Sequence, residues 1–242
     1  MRGGGSGCGG LETRPQGRHA RAVQLGQVSD PALREAVGRW AAALGRMTRA
    51  DRMAVLDLAL PALDALPRDA AAELALQLRA LVAADGATTV FEWAVLRIVS
   101  RRLARAAGAA RAVPVTARTA GDVEVELLDL LSVLAWAGAR DEAAARAALE
   151  SATAVLGLTG WRVLPRGRVD GRRFEAALQR LEGASPRLKA SVVEACAASV
   201  LADGVVVPAE GELVRAIAAT LGVPVPPLLG AVAAAAGAAS TA

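Results

Sequence analysis

Apolar residues recur every three or four positions along most of the chain, and polar residues fill the positions between them. This spacing collects the apolar side chains on one face of an α-helix. In residues 122–136, for example, Val123, Leu127 and Leu134 share a face. Val205–Val207 favours a strand by propensity, but three residues between two helical patterns are too few for a sheet. The pattern predicts an all-α fold, a helical bundle of about nine or ten helices.

One stretch of this pattern occurs twice, at residues 78–97 and again at residues 196–215. In both copies an apolar helix ends at Ala-Asp-Gly, where glycine can take the left-handed conformation that closes a helix. A second helix then begins about one turn before a glutamate. The matched pairs are Asp85 with Asp203, Gly86 with Gly204, Glu92 with Glu210, Arg97 with Arg215 and Leu103 with Leu221. The sequence therefore predicts two repeated helical hairpins with Asp-Gly turns.

Glycine-rich and proline-rich stretches divide the chain into segments. The predicted segments are a disordered Gly- and Arg-rich tail at 1–25, a first helical half at 26–107 with a hairpin at 69–106, a linker at 108–121, a second helical half at 122–222 with a hairpin at 185–221, and a frayed Pro- and Ala-rich tail at 223–242. The second helix of the first half contains Pro61, which we expect to kink or divide it.

The helical stripes also predict which side chains are buried. In the two hairpins, the residues expected in the core are Leu78, Leu81, Leu96, Val200 and Leu213. In the first helix, the residues that share one face are Leu33, Val37, Trp40, Ala41 and Leu44. Burial of the hairpin positions would support the predicted facing of the helices.

The net charge of +4 and an isoelectric point near 10.2 raise nucleic acid as a partner. The arginines that could carry such binding are Arg101, Arg102, Arg105, Arg166, Arg168, Arg172 and Arg173. Aromatic residues make up only 2% of the chain, and no basic face alternates with rings that could stack on bases. Arginines in the last turn of a helix are explained by the helix dipole without a phosphate. We therefore do not expect nucleic acid to be the partner.

The two cysteines, Cys8 and Cys196, do not form the pattern of a disulfide framework, which favours a reducing compartment. No segment has the roughly 20 uncharged apolar residues that span a bilayer. No apolar stretch follows Arg2 as it would in a secretory signal. The sequence predicts a cytoplasmic location, with proximity to the membrane only through a partner.

The repeated carboxylates are the candidate chemical site. Each hairpin places an aspartate at the end of one helix and a glutamate in the first turn of the next, and such oxygen ligands suit Ca²⁺ or Mg²⁺. If the hairpins pack about a pseudo-twofold axis, Asp85, Glu92, Asp203 and Glu210 could converge on a divalent cation. The alternative is structural, because acids in a first turn stabilise the helix and Asp-Gly is common in turns. The structural interpretation is favoured, and the cation site remains the alternative.

Catalytic motifs are missing from the sequence. It contains no His-Glu-x-x-His zinc motif, no Gly-x-Ser-x-Gly elbow and no phosphate-binding loop of the Walker type. Its one histidine, His19, lies in the Gly-rich tail without neighbours that could complete a metal site. We therefore predict no catalytic or cofactor-binding residues and no enzymatic activity.

At the repeated Ala-Asp-Gly-x5-Glu stretch the sequence resembles TerB-like domains, the all-helical family named for tellurite resistance. In that family, acidic residues are linked to divalent-metal binding, which the resemblance carries over only to Asp85, Glu92, Asp203 and Glu210. The resemblance implies a bacterial helical interaction module.

The chain is also similar to the cytosolic C-terminal region of some HtpX-like bacterial membrane zinc metallopeptidases. The similar residues are Gln24-Leu25-Gly26, residues 56–63, residues 81–86, Phe91-Glu92-Trp93, and residues 194–197 leading to 202–204. In those proteins a peptidase domain and membrane helices precede this region, and neither pattern is found here. The resemblance implies an accessory module whose partner is another protein or a membrane-embedded peptidase domain.

Overall fold

The computed structural model describes residues 31–83, 90–109 and 113–226. In this part of the chain the regular structure is helical and contains no β-strand, which confirms the predicted all-α fold class. The nine α-helices of the described residues are α1 (Pro31–Leu44), α2 (Arg49–Asp64), α3 (Arg68–Ala83), α4 (Val90–Ala106), α5 (Glu124–Gly138), α6 (Glu142–Val155), α7 (Gly171–Leu181), α8 (Pro186–Val200) and α9 (Pro208–Leu221). Short 3₁₀ turns form at Ala120–Val123 and Arg166–Arg168.

The predicted tail at 1–25 and most of the predicted tail at 223–242 lie outside the described residues. Among the helices that are described, none combines the length and the apolar character needed to cross a membrane.

Capping side chains and a left-handed glycine set several helix ends. Thr48 Oγ1 accepts a hydrogen bond from the Asp51 N–H at 3.2 Å, and Asp51 Oδ2 accepts one from the Thr48 N–H at 3.1 Å. This reciprocal pair is a complete capping box at the start of α2. At the start of α8, Ser185 Oγ accepts from the Leu188 N–H at 3.3 Å. Gly222 ends α9 in the left-handed conformation, with a φ of +73°.

The chain divides into two compact units. One unit takes in the described parts of Met1–Arg46 and Leu76–Thr88, which are α1 and the end of α3. The second unit takes in Met47–Ala75 and the described parts of Thr89–Ala242, and it holds the remaining helices. The division into two helical halves at the linker stays a prediction.

The core of the second unit lies between α5, α6, α7, α8 and α9. Helix α6 packs on α8, α5 packs on α7, and α9 packs on both α5 and α8. The large side chains buried there include Val123, Leu127, Leu130, Leu131, Leu134, Leu149, Leu178, Leu181, Val192, Val193 and Ile217. The stripe predicted for α5 is therefore confirmed as a core face.

The second helices of the two repeats, α4 and α9, pack against each other. Two pairs of matched positions along these helices are buried. They are Leu103 with Leu221, and Ala94 with Glu212. In the second copy, Gly204 has a φ of +76°, which confirms the predicted left-handed turn. The repeat seen in the sequence thus corresponds to two helices that pack against each other.

Burial of the predicted hairpin core is uneven. Val200 and Leu213 are buried, as predicted. Leu78 and Leu96 are only half-buried, and the side chain of Leu81 lies outside the described residues. The half-buried positions belong to α3 and α4, the helices of the first repeat, so the second repeat is the better packed of the two.

Two residues of the predicted apolar face of α1 are exposed within the described part of the chain, whereas Ala41 and Leu44 are half-buried. Val37 is 38% exposed and Trp40 is 65% exposed. Leu76 on α3, another residue of a predicted stripe, is 64% exposed. Helical spacing identifies an apolar face, but it does not say what covers that face.

Pro61 does not divide α2, which runs without interruption from Arg49 to Asp64. The expectation of a divided helix was therefore wrong, and the expected kink stays a prediction. Proline removes the backbone donor that would bond to the Asp57 carbonyl, and the helix continues for three residues past it.

Part of the predicted linker is fixed to the turn that precedes α8. The Thr116 N–H donates to the Gly183 carbonyl at 2.8 Å, and the Ser185 N–H donates to the Ala117 carbonyl at 2.8 Å. A Cβ added at Gly183 would lie 2.6 Å from Thr116 Oγ1, so glycine allows this close approach. Residues 110–112 of the linker lie outside the described residues.

Candidate functional site at the second Asp-Gly turn

The second Asp-Gly turn connects α8 to α9. The left-handed conformation of Gly204 turns the chain away from α8. The Asp203 side chain is exposed, and its Oδ1 accepts a hydrogen bond from the Val205 N–H at 2.9 Å. A bond from a side chain to the backbone two residues on is typical of aspartate in turns. Asp203 therefore stabilises the turn that leads into α9.

Glu210 lies in the first turn of α9 and caps its N-terminus. Its Oε2 accepts a hydrogen bond at 2.9 Å from the N–H of Val207, the residue that precedes the helix. The first backbone donors of a helix have no partner within it, so this bond satisfies a group that would otherwise be free. Valine has no side-chain acceptor to return the bond. The glutamate thus supplies one half of a capping box, as the structural interpretation predicts.

The carboxylate of Glu210 lies against the end of α5. A Cβ added at Gly138 would overlap with Oε1 and Cδ of Glu210, so no side chain fits at position 138 while the carboxylate is there. Gly138 does not have a positive φ, and glycine is therefore required for space rather than for backbone conformation. Only 6% of the surface of Glu210 is exposed. The end of α5 and the start of α9 together bury this carboxylate.

Burial raises the pKa of the Glu210 carboxyl from its ordinary value of 4.5 to about 7. The hydrogen bond from the Val207 N–H lowers this pKa because it favours the charged form, and the negative charge of Asp203 raises it. The protonated and ionised forms of the Glu210 side chain are therefore both populated near neutral pH. Shifts of this kind occur in catalytic groups and in structural ones alike.

The four carboxylates predicted to converge on a cation are described to different extents. Asp85 lies outside the described residues, and so does the side chain of Glu92. Asp203 and Glu210 are close enough for the charge of one to shift the pKa of the other. Among the described residues, no group of three or more His, Cys, Asp or Glu side chains could hold a metal ion.

Asp203 and Glu210, the two carboxylates whose side chains are described, are by themselves a poor cation site. Asp203 and Glu210 each have one carboxylate oxygen bonded to a backbone N–H. Ca²⁺ and Mg²⁺ take about six or more oxygen ligands, several of them from protein in a tight Ca²⁺ site. The site at all four carboxylates stays a prediction.

Gly138 is the part of this site that the sequence analysis missed. Gly138 follows the apolar pattern of residues 122–136, at a place where glycine commonly ends a helix, and α5 does end there. Nothing local in the sequence distinguishes a glycine that ends a helix from one that makes room for a side chain of another helix. The partner of Gly138 follows only from the packing of α5 on α9.

Arginines considered for nucleic-acid binding are partly engaged by carboxylates of the protein. Arg101 Nη1 donates to Glu182 Oε2 at 3.2 Å. Arg173 donates from Nε and Nη2 to Asp129 Oδ1, at 3.0 and 2.8 Å. These contacts give both arginines a partner within the protein, and the expectation that nucleic acid is not the partner stays a prediction.

Cys196 on α8 is fully buried, and burial raises the pKa of its thiol to about 12. The thiolate is the reactive form of cysteine, and at neutral pH this thiol remains protonated. Cys196 is therefore a core residue.

Comparison with known proteins found no match to the chain among family models, curated proteins or solved structures.

Proposed function

We propose that this chain is a non-catalytic TerB-like helical interaction module that works in the bacterial cytoplasm. The resemblance at the two Ala-Asp-Gly-x5-Glu stretches supports the family, and the all-α fold is consistent with it. Its partner is another protein, and a membrane-embedded peptidase domain is one such partner.

The observation that carries this proposal is the exposure of Trp40. Tryptophan is large and apolar, and it is enriched at the centre of protein interfaces. On α1, Trp40 is 65% exposed and Val37, one turn earlier, is 38% exposed. Exposed apolar side chains on neighbouring turns of a helix are a common feature of helices that bind a partner.

The absence of catalysis has support from single residues. The sequence has one histidine, His19, which lies outside the described residues. Cys196 is buried with a raised pKa, and Glu210 is bonded to the backbone of its own helix end. In the part of the chain that the structure describes, Cys196 is thus a core residue and Glu210 a helix cap.

Site-specific cross-linking in the native cell tests the interaction. We expect a photoreactive phenylalanine analogue at position 40 to give one discrete cross-linked species larger than the chain. The same analogue at position 187, which is exposed on α8, is the control and should give none. Identical patterns at the two positions, or no product at either, would contradict a docking role for Trp40.

The alternative is that the chain is the detached C-terminal accessory region of an HtpX-like membrane zinc metallopeptidase. An upstream reading frame that encodes His-Glu-x-x-His would favour this alternative. In both cases the purified chain should not cleave casein, with or without added zinc, because the motif that binds zinc and activates water is missing from the sequence. Cleavage by a contaminant-free preparation would contradict both.

The acidic residues of the repeated turns also have a proposed role. We infer that Asp203 and Glu210 serve the backbone, as a turn residue and a helix cap. A weak Ca²⁺ or Mg²⁺ site formed with Asp85 and Glu92 is the alternative.

A further inference from the structure

A cleft of about 500 Å³ opens in the second unit between α2, α4, α9 and the residues that follow α9. Its volume lies within the range of about 300–1,000 Å³ that is usual for small-molecule sites. Four arginines line it, Arg101, Arg102, Arg105 and Arg215, together with one acid, Asp57. The rest of the lining is mostly apolar and includes Leu60, Ile98 and Val223.

Three of the four arginines form ion pairs that leave much of the guanidinium group free. Arg101 pairs with Glu182 at 3.2 Å, Arg215 pairs with Asp57 at 2.7 Å, and Arg102 pairs with Asp64. Each of these pairs uses Nη1 as the donor to that carboxylate. A guanidinium carries further N–H donors on Nε and Nη2, so these arginines can bind a second acceptor.

The fourth arginine, Arg105, has no hydrogen bond or ion pair with any described residue. It lies in the last turn of α4, and its Nη2 is 3.8 Å from where a Cβ of Gly222 would be, beside the end of α9. Among the described residues, Arg101, Arg102 and Arg215 each pair with a carboxylate and Arg105 pairs with none. Arg101 also shares Glu182 with Arg97, so positive charge is in excess around the described part of the cleft. The dipole of α4 explains a cation at the end of α4, but it does not explain why Arg215 of α9 lines the same cleft.

We propose that this cleft binds the phosphate group of a partly apolar ligand, either a free small molecule or a lipid headgroup. The N–H donors of guanidinium match the oxygens of phosphate, and the aliphatic lining can receive the apolar part of the ligand. The acids that pair with Arg215 and Arg102 are easily displaced. The side chains of Asp57 and Asp64 are 51% and 41% exposed, and exposed ion pairs contribute little stability.

The variant that tests this site is Arg105→Gln, and Arg172→Gln is its matched control. Arg172 is exposed on α7, does not line the cleft, and its substitution removes the same single charge. Because Arg105 has no described partner, Arg105→Gln should melt at the temperature of the wild type. Loss of binding in this variant would then reflect the site rather than the fold.

The measurement is titration calorimetry of the full chain at low ionic strength with inorganic phosphate and with a short-chain phosphatidic acid. Co-sedimentation with phosphatidylcholine vesicles, with and without phosphatidic acid, gives the membrane arm. We expect Arg105→Gln to weaken binding about tenfold and Arg172→Gln to change it by less than about twofold. Binding in calorimetry alone identifies a free ligand, and binding to the acidic vesicles identifies a lipid headgroup.

Two results would overturn the proposal. One is that neither the phosphate compounds nor the acidic vesicles bind to the wild type. The other is that the two variants weaken binding equally, since that pattern reports the net charge of the chain and not this cleft.

Discussion

Glu210 links the stability of the second hairpin to pH. Its pKa in the folded chain is about 7, above the ordinary value of 4.5. The folded state therefore holds the proton more tightly than the unfolded state does. The contribution of the protonated form to stability is fully present below pH 4.5, and it is lost as the pH rises from 4.5 to about 7.

We expect Glu210→Gln to remove this pH dependence. Glutamine is neutral at every pH, and its side-chain oxygen can still accept the hydrogen bond from the Val207 N–H. The variant should gain stability over the wild type at pH 8, by at most about 3 kcal/mol, and gain little at pH 5. Thermal melts of both proteins at the two pH values measure the difference. A constant difference at the two pH values would show that the Glu210 carboxyl does not titrate in this interval.

Gly138 is expected to be coupled to Glu210. In most helices a change from glycine to alanine stabilises by up to about 1 kcal/mol. Gly138→Ala should instead destabilise by about 1–3 kcal/mol, because the added methyl group overlaps with the Glu210 carboxylate and forces it to move. Urea unfolding of the variant gives the free energy. Gly38→Ala on α1 is the control, since a Cβ there meets no atom within 4 Å, and it should be neutral or stabilising.

The coupling itself is measured by repeating Gly138→Ala in a Glu210→Ala background. Without the carboxylate the methyl group has room, so most of the cost should disappear. Additive effects of the two substitutions would mean that the carboxylate is not what excludes a side chain from position 138.

At the level of helices, a buried leucine of the second hairpin should contribute more to stability than an exposed leucine of α3. Leu213 on α9 is 3% exposed, and Leu213→Ala should lower the free energy of unfolding by about 2–5 kcal/mol. Leu76 on α3 is 64% exposed, and Leu76→Ala should change it by less than about 0.5 kcal/mol. Chemical denaturation of the two variants tests the assignment, and equal losses would contradict it.

The helices were predictable because their apolar periodicity and their end residues agree. The stripe of α5, with Leu127 and Leu134 buried, is dense enough to define a core face by itself. The stripe of α1 has the same spacing, yet Trp40 on that face is exposed. Spacing depends on the chain alone, whereas burial depends on what packs against the helix. Pro61 shows a similar limit, because proline weakens a helix locally and the rest of the helix still forms here from Arg49 to Asp64.

Across the chain as a whole, the sequence predicted which residues form the candidate site. It did not predict how deeply they are buried or what packs against them. The repeat identified Asp203 and Glu210, and the structure describes both at the turn between α8 and α9. The burial of Glu210, its raised pKa and its dependence on Gly138 come from the packing of α9 on α5, which the sequence does not specify. Both acids belong to the repeated stretch, but Asp203 is exposed and Glu210 is buried.

We propose that the acidic turns are structural, and that the chain acts through its surfaces rather than through a bound metal. The most direct test is the melting temperature of the full chain in a chelator and in millimolar Ca²⁺ or Mg²⁺. A cation that binds only the native state must raise this temperature. We expect the two temperatures to agree within about 1 °C, and Glu210→Ala to change the stability by the same amount in either buffer. A rise of several degrees in the wild type that disappears in Asp85→Asn and Asp203→Asn would contradict the account.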